Sequence, residues 1–353
     1  MPMSRRLALA AAVLLALTLG TGPASAKDSF RIAWSIYVGW MPWGWAADNG
    51  IVKKWADKYG ISIEVVQIND YVESINQYTA GGFDGCVMTN MDALTIPAVG
   101  GVDSTALIVG DFSNGNDGVA SKSAKSVAEL KGANVNLVEL SVSHYLLARA
   151  LEANGLAERD LGAVVNTSDA DIVSVFTSTP DVEHVVTWNP LLAEVLAVPG
   201  ATKLFDSSQI PGEIIDMMVV NTAELEANPN LGKALVGAWY ETMAIMSADD
   251  EAGRAARSAM AKAAGTDLAG YDAQLAATKM FFKAADAVTF TTGPALVTTM
   301  DNVRKFSDSH GLLQGGLDSV GIAFPGGATL GDTANTKLRF TADYMQMAAD
   351  GAL

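Results

Sequence analysis

The sequence predicts an α/β fold that is divided into two lobes. Short apolar runs alternate with helix-like patterns from Lys27 onward, which is typical of mostly parallel strands connected by helices. The 353 residues are 50% hydrophobic and only 18% charged, so the chain is long and apolar enough for two cores. A turn-rich segment at residues 111–118 marks the place where the chain is expected to pass from one lobe to the other.

The first predicted lobe begins with residues 27–115. Its apolar runs predict strands at 30–34, 61–68, 86–88 and 106–109. Asp70 with Glu73 three residues later is a capping-box pattern, which predicts a helix that begins there. Glycines are expected to end this helix and the two before it: Gly50, Gly60 and the pair Gly81-Gly82.

The second predicted lobe comprises residues 116–215. Strands are expected at 135–138, 163–165 and 184–187, with helices that begin at Ser143 and Asp169. An apolar run at 216–220 predicts the strand that returns the chain to the first lobe. The remainder of the segment 216–353 is helix-rich, at 231–264 and 295–306, and is expected to pack on the first lobe.

The N-terminus has the pattern of a secretory signal peptide. Arg5 and Arg6 precede an apolar run at 7–19, and the small residues Ala24-Ser25-Ala26 follow. The run is shorter than the roughly 20 residues that a membrane-spanning helix needs. Cleavage after residues 1–26 with no cysteine nearby predicts an unlipidated periplasmic protein. The single cysteine, Cys86, excludes an internal disulfide.

The charge of the chain narrows the class of its partners. The formal net charge is −16, and loss of Arg5 and Arg6 with the signal peptide takes it to −18. Nucleic acid and anionic membrane surfaces are therefore poor partners for this chain. The three histidines have no paired metal-ligand spacing, and neither a phosphate loop nor a Gly-x-Ser-x-Gly motif occurs. No residues that would carry out catalysis are visible, so we predict a monomer that is not an enzyme and has no metal and no cofactor.

Four short segments occur in an order that resembles a known family. They are Tyr37-Val38-Gly39-Trp40-Met41-Pro42-Trp43, Gly82-Phe83-Asp84-Gly85, Ser141-Val142-Ser143-His144 and Trp188-Asn189-Pro190. Together they resemble the substrate-binding proteins of ABC importers in the nitrate, sulfonate, taurine and thiamine-pyrimidine group. Residues 34–43 and 110–117 carry a closer resemblance to the subgroup encoded beside urea (guanidine) carboxylase. One departure is the stretch 179–183, where the family usually has a Gly-x-Asp-Ala turn.

The resemblance implies a type II periplasmic binding protein fold. In such a fold two lobes joined by a hinge close on a ligand in the cleft between them, and an inner-membrane ABC permease is the partner. The cleft agrees with the general rule that open α/β sheets bind ligands outside the carboxyl ends of their strands. We expect the hinge at residues 111–118 and 216–220.

Aromatic residues crowd the loop that follows the first predicted strand. Trp34, Tyr37 and Trp40 are candidates for the cleft, and Trp188 holds the equivalent position after a strand of the second lobe. Aromatic faces hold planar or cationic ligands, with roughly 0.5–2 kcal/mol from each cation–π contact. The alternative is that some of these rings only pack a helix on the sheet.

Polar candidates lie after strands or at helix starts. Asn90 and Asp92 follow a strand, although a helix cap or the helix dipole explains each without a ligand. The N-terminus of the helix at Ser143 suits an anion, but Glu139 nearby would repel one. Glu213 and Asp216 precede the returning strand, where the alternative is ordinary surface placement.

Guanidine or a urea-like compound is the ligand that these residues and the resemblance favour. Guanidinium is a planar cation with N–H donors and no acceptor, so its site needs carboxylates in the plane and aromatic faces above it. Neutral urea would instead use mixed groups such as Asn90 and Ser143. An anion receptor for sulfonate, taurine or nitrate is the first alternative, but the candidate loops lack Arg and Lys. A thiamine-pyrimidine synthase-like enzyme is the second. The resemblance implies that such an enzyme has a cysteine-rich motif. The single cysteine and the export signal of this chain argue against the enzyme.

Overall fold

The chain folds into two β-sheets with helices on their faces, so the predicted α/β class is confirmed. The computed structural model describes residues 27–353, and the predicted signal peptide at 1–26 lies outside the described residues. No helix in this described part of the chain is long and apolar enough to cross a membrane.

Fourteen strands occur between residues 27 and 353. They are β1 (Ser29–Trp34), β2 (Ser62–Gln67), β3 (Gly85–Thr89), β4 (Ser104–Ser113), β5 (Asp117–Ser121), β6 (Asn134–Leu137), β7 (Ala163–Asn166), β8 (His184–Trp188), β9 (Thr202–Asp206), β10 (Ile215–Asn221), β11 (Thr278–Met280), β12 (Gly321–Ala323), β13 (Thr329–Leu330) and β14 (Thr336–Phe340).

The α-helices of the same region also number fourteen. They are α1 (Met41–Asp48), α2 (Ile51–Lys58), α3 (Tyr71–Thr79), α4 (Asn90–Ala93), α5 (Val142–Ala153), α6 (Asp169–Ser178), α7 (Leu191–Leu196), α8 (Thr222–Ala227), α9 (Asn230–Met246), α10 (Glu251–Ala263), α11 (Leu268–Ala276), α12 (Ala284–Thr292), α13 (Pro294–Ser309) and α14 (Asp343–Ala349). Short 3₁₀ turns and one π-helical turn at Leu94–Ala98 complete the set.

Each sheet, with the helices on its faces, forms one lobe. The first sheet has the strand order β13-β12-β14-β4-β10-β3-β1-β2, with β11 paired to β4. The second has the order β7-β6-β8-β5-β9. The chain passes to the second sheet between Ser113 and Asp117, and it returns between Asp206 and Ile215. The predicted turn segment at 111–118 was too long, because its two ends belong to β4 and β5.

The expectation of mostly parallel strands was wrong. The strands β5 and β10, with which the chain enters each sheet from the other, run antiparallel to both of their neighbours. The remaining central pairs, such as β1 with β2 and β6 with β8, are parallel. A strand that arrives from another sheet lacks the crossover helix that would return it in the parallel direction, so its direction is reversed.

Local sequence signals account for several helix ends. The Asp70 side chain accepts a hydrogen bond from the Glu73 N–H at 2.9 Å, as the capping box predicts. Gly50 and Gly60 have φ values of +72° and +68°, which is the left-handed conformation that ends α1 and α2. The helix-rich stretch predicted at 231–264 contains two helices, α9 and α10, because Asp250 caps α10 through the Gly253 N–H.

Close packing of α1 on the first sheet fixes the loop that leads to it. Trp43 stacks on Trp239 of α9 at 5.1 Å between ring centroids. Trp34 of β1 lies against Gly44, where an added Cβ would come within 2.5 Å of the indole ring. A glycine at this position therefore lets α1 approach β1, and the intervening segment is held at the edge of the sheet that faces the second lobe.

Candidate functional site

The carboxyl ends of β1, β3 and β8 and the N-termini of α1, α3 and α5 meet between the two lobes. They enclose a small cavity, in which the space open to a water-sized molecule is about 10 Å³. The residues that line it come from both lobes, and each is at most 4% exposed: Tyr37, Trp40, Tyr71, Thr89, Asp117, Val142, Trp188, Ile214 and Asp216. The lobes are therefore closed over the cavity in this structure.

Four aromatic rings form the walls of the cavity. The Tyr37 and Trp40 rings meet edge to face at 5.1 Å, and Trp40 lies 5.4 Å from Tyr71. Tyr71 in turn meets Trp188 of the second lobe edge to face at 5.6 Å. The Trp188 Nε1–H donates to the Ile36 carbonyl oxygen at 3.3 Å, which ties the two lobes together at this wall.

Three buried carboxyl groups lie at the cavity or directly behind it. Asp216 of β10 and Asp111 of β4 are opposite each other in the antiparallel register, and Asp117 begins β5. The Tyr37 hydroxyl donates to Asp111 Oδ1 at 3.3 Å. The second oxygens of Asp111 and Asp216 have no hydrogen-bond partner among residues 27–353. None of the residues that line the cavity is Lys, Arg or His, so these carboxyl groups have no basic neighbour in its wall.

Burial and mutual repulsion make these carboxyl groups hold protons. Burial raises the pKa of Asp117 to about 7. Burial and then the neighbouring Asp111 raise the pKa of Asp216 well above its usual value. The pKa of Asp111 is also raised, mainly by burial. Two facing carboxyl groups share a proton more readily than they both ionise, so a bound cation would release protons from this group.

Asp92 supports the wall from behind. Its Oδ2 accepts the Tyr71 hydroxyl at 2.6 Å and the Thr89 hydroxyl at 2.8 Å. Burial raises the pKa of Asp92 to about 6, against the opposing effect of these hydroxyls and of the Val142 N–H. Asp92 thus turns a carboxylate toward the first turn of α5. Free N–H groups at that turn would otherwise attract an anion.

Hydrogen bonds near Tyr37 join the lobes a second time. Asn116 Nδ2 donates to the Tyr37 hydroxyl oxygen at 3.4 Å, and Asn189 Nδ2 donates to Asn116 Oδ1 at 2.6 Å. The Val38 N–H also donates to the Asn189 carbonyl oxygen at 3.4 Å. These contacts hold Tyr37 of the first lobe against the start of β5, where Asp117 enters the cavity.

Gly39 allows the close approach of Asp111 to Tyr37. A Cβ at this position would lie 2.6 Å from Asp111 Oδ2 and 2.7 Å from Tyr37 Cε1. A second small cavity lies behind the first and is bounded by Asp111, Asp216 and Trp40 among others. Asp216 and Trp40 therefore separate two small spaces.

Four residues that the sequence predicted line the cavity together: Tyr37, Trp40, Trp188 and Asp216. Two more adjoin it. Asp92 supports Tyr71, and Ser143 lies buried in the first turn of α5, where its hydroxyl has no partner within the described chain.

The structure places the other four predicted residues away from the cavity. Trp34 packs on Gly44 in the core of the first lobe. Asn90 accepts the Ile215 N–H at 3.1 Å and thus serves the backbone. Glu139 is exposed beside a surface groove. Arg149 binds both carboxylate oxygens of Glu213, at 2.9 and 3.0 Å, so this side chain is already paired.

The site also contains residues that were not among the predicted ones. Tyr71 directly follows the capping residue Asp70, and its position at the start of a helix after a strand is a signal that sequence reasoning passed over. Asp111 and Asp117 lie at the two ends of the segment that was interpreted as a hinge. Their burial results from strand pairing across both sheets, for which the local sequence gives no sign.

The family model described as NMT1/THI5 like matches residues 52–253, which is more than half of the chain. The chain belongs to the NMT1/THI5-like family. No curated protein sequence matches it significantly. The broader resemblance inferred from the sequence is thereby confirmed at the level of family, whereas the subgroup beside urea carboxylase stays a prediction.

Solved structures share the fold. The periplasmic aliphatic sulphonate-binding protein SsuA from Escherichia coli has a TM-score of 0.67 and 18% identity, over 83% of this chain and 96% of that one. The periplasmic nitrate-binding protein NrtA from Synechocystis PCC 6803 has a TM-score of 0.58 and 13% identity, over 94% and 100%. The desulfurization enzyme DszB has a TM-score of 0.60 and 14% identity, over 92% and 100%. The protein therefore has the periplasmic binding protein fold that the resemblance implied.

Proposed function

We propose that this protein is the periplasmic solute-binding component of an ABC importer and that its ligand is a small guanidinium-type cation. The observation that carries the proposal is a closed cavity between two lobes in which buried carboxyl groups and aromatic faces meet without a basic side chain. The family, the fold and the predicted signal peptide support the importer role.

Charge supports a cation as the ligand. Buried carboxylates are stable when they are paired, and Asp111, Asp117 and Asp216 have no basic partner among the residues that the structure describes. A cation in the cavity would give them one. An anion would meet these groups and also Asp92, which already faces the first turn of α5.

The aromatic wall of the cavity supports a planar ligand. The rings of Trp40, Tyr71 and Trp188 present faces and edges around the small space between the lobes. Guanidinium presents N–H groups around its edge and a flat face above and below. Carboxylates then bind the edge while the rings contact the face. Urea needs donors for its oxygen, but the hydroxyls of Tyr37, Tyr71 and Thr89 already donate to Asp111 and Asp92. The Trp40 Nε1–H is the donor of this wall that has no partner among the described residues.

An isothermal titration panel on the mature protein tests the proposal. We expect guanidinium and methylguanidinium to bind more tightly than urea, and taurine, nitrate and an alkanesulfonate to give no heat. Tight binding of an anion with none of guanidinium would replace the proposal by the sulfonate or nitrate alternative. Chemical conversion of a bound compound, followed by mass spectrometry, would favour the enzyme alternative.

A further inference from the structure

A cluster of ionisable side chains joins the two lobes on the outer side of the cleft. His144 of α5 and Glu158 of the adjacent 3₁₀ turn belong to the second lobe, whereas His310 directly follows α13 of the first. The His310 Nε2 lies 2.7 Å from Glu158 Oε1, and the His144 Nε2 lies 3.2 Å from Glu158 Oε2. One carboxylate therefore stands between two imidazoles across the lobe boundary.

The hydrogen bonds of the two rings show which nitrogen atoms carry protons. The His310 Nδ1 faces the Phe306 carbonyl oxygen at 2.8 Å, so it donates, and its Nε2 binds Glu158 only when it is also protonated. The His144 Nδ1 accepts the Leu140 N–H at 3.1 Å, so its Nε2 carries the hydrogen in the neutral ring. His310 thus supplies a positive charge to the Glu158 carboxylate.

The same three side chains resemble a metal-ligand set, since their ligand atoms lie within 4.8 Å of one another. A neutral histidine binds a metal through an unprotonated nitrogen atom. In His144 the unprotonated nitrogen is Nδ1, which the Leu140 N–H occupies. The geometry therefore favours a proton over a metal ion at this cluster.

We propose that the pair His310–Glu158, steadied by His144, is a proton-dependent latch that holds the two lobes closed. The Phe306 ring supports it, at 4.0 Å from the His310 ring and 5.8 Å from His144. Both members of the pair are partly buried, with 19% and 29% of their side chains exposed. When the lobes separate, the two charges separate as well, and each becomes hydrated.

The direction of the pH effect follows from the pair. The hydrogen bond to Glu158 raises the pKa of His310, and the Glu158 pKa falls to about 2 because the two histidines outweigh its burial. A histidine with a raised pKa stabilises the closed state fully below its ordinary value, and this stabilisation is lost as the pH rises through the raised value. The latch is therefore engaged at mildly acidic pH and released above neutrality.

Some other charged groups near the cluster have partners of their own. Arg149 binds Glu152 and Glu213, and Lys305 binds Asp301. Arg159, which follows Glu158 in the 3₁₀ turn, has no ion-pair partner among the described residues and is a further cation near the cluster. Asp117 in the cleft also titrates near neutral pH and could change the opening of the lobes. The variants are therefore compared with the natural sequence at the same pH, so that this contribution is equal in both.

Small-angle scattering of the ligand-free mature protein at pH 6.0 and pH 8.5 tests the latch and needs no knowledge of the ligand. We expect a smaller radius of gyration at pH 6.0 than at pH 8.5 for the natural sequence. His310→Gln should be expanded at both values, with the ratio of closed to open protein reduced roughly fivefold at pH 6.0, since a partly exposed ion pair contributes modestly. His310→Lys keeps a positive charge and should stay compact at pH 8.5.

His184→Gln is the matched control, because His184 lies within the second lobe and bonds Ser121. It should follow the natural sequence at both pH values. A His310→Gln variant as compact as the natural protein at pH 6.0, or a His310→Lys variant that expands at pH 8.5, would overturn the latch. Tight zinc binding that His310→Gln removes would also overturn it, in favour of a metal site.

Discussion

Asp216→Asn is the substitution that separates ligand binding from folding most clearly. The amide has the same shape as the carboxyl group, so no cavity forms in the core. The change removes one charge from the cavity wall, and with it a charge-assisted hydrogen bond worth about 1.5–3 kcal/mol, which corresponds to about a 10- to 150-fold loss of guanidinium affinity. In the ligand-free protein the same change relieves the repulsion between Asp216 and Asp111. After burial, this repulsion is the second largest cause of the raised pKa of Asp216.

The expected combination is therefore weaker binding with an unchanged or higher melting temperature. Titration calorimetry with guanidinium and thermal unfolding without it measure the two effects. Asp181→Asn is the control, because Asp181 is exposed on the second lobe and its substitution changes the net charge equally. Guanidinium affinity within threefold of the natural protein in Asp216→Asn would refute the assignment of Asp216 to the site.

Three further predictions concern the support of Tyr71 by Asp92, the close packing at Gly39 and the pH dependence of ligand affinity. Tyr71→Phe removes the hydroxyl that donates a hydrogen bond to Asp92 at 2.6 Å, so urea denaturation should show a loss of about 1–3 kcal/mol in the free energy of unfolding. An unchanged free energy would contradict the stabilising role of this hydrogen bond. Gly39→Ala should abolish binding, because the added methyl group displaces Asp111 and Tyr37 at the cavity. Gly44→Ala crowds the core residue Trp34 instead and should lower stability but retain affinity at low temperature. Equal affinities in the two variants would contradict a role of Gly39 in the site. Guanidinium affinity should rise roughly thirtyfold between pH 5.5 and pH 8, because a cation requires the ionised form of Asp117, whose pKa is about 7. A flat profile would exclude that carboxylate.

The raised pKa of Asp117 also predicts that the ligand-free protein is less stable at alkaline than at mildly acidic pH. A carboxyl group that ionises at 3.8 in the unfolded chain and at about 7 in the folded one makes folding less favourable as the pH rises between these values. Low millimolar guanidinium should restore part of that stability at pH 8, which differential scanning calorimetry measures.

The sequence predicted most of the fold because its signals are local. Apolar runs located β1, β2 and β3, and Asp70 with Glu73 located the start of α3. Local signals could not predict the direction of β5 and β10, because that direction depends on how the chain crosses between the two sheets. Short strands late in the chain, such as β12 and β13, have too few residues for a periodic pattern.

The site was predicted in part for a related reason. Tyr37 and Trp40 follow β1 and Trp188 ends β8, at the carboxyl ends of strands, where open α/β sheets bind ligands. Glu213 looked equivalent in the sequence, but Arg149 from a distant helix pairs with it. Asp117 was missed because it lies in the segment interpreted as a turn, whereas it begins β5 and is opposite Trp188 of β8.

The decisive experiment is a crystal structure of the mature protein grown with guanidinium at a saturating concentration. We expect flat density in the cavity between Asp117 and Asp216, with its face against the aromatic wall that includes Trp40 and Trp188. A cavity without this density at saturating guanidinium, in a protein that instead holds an anion at the first turn of α5, would contradict it.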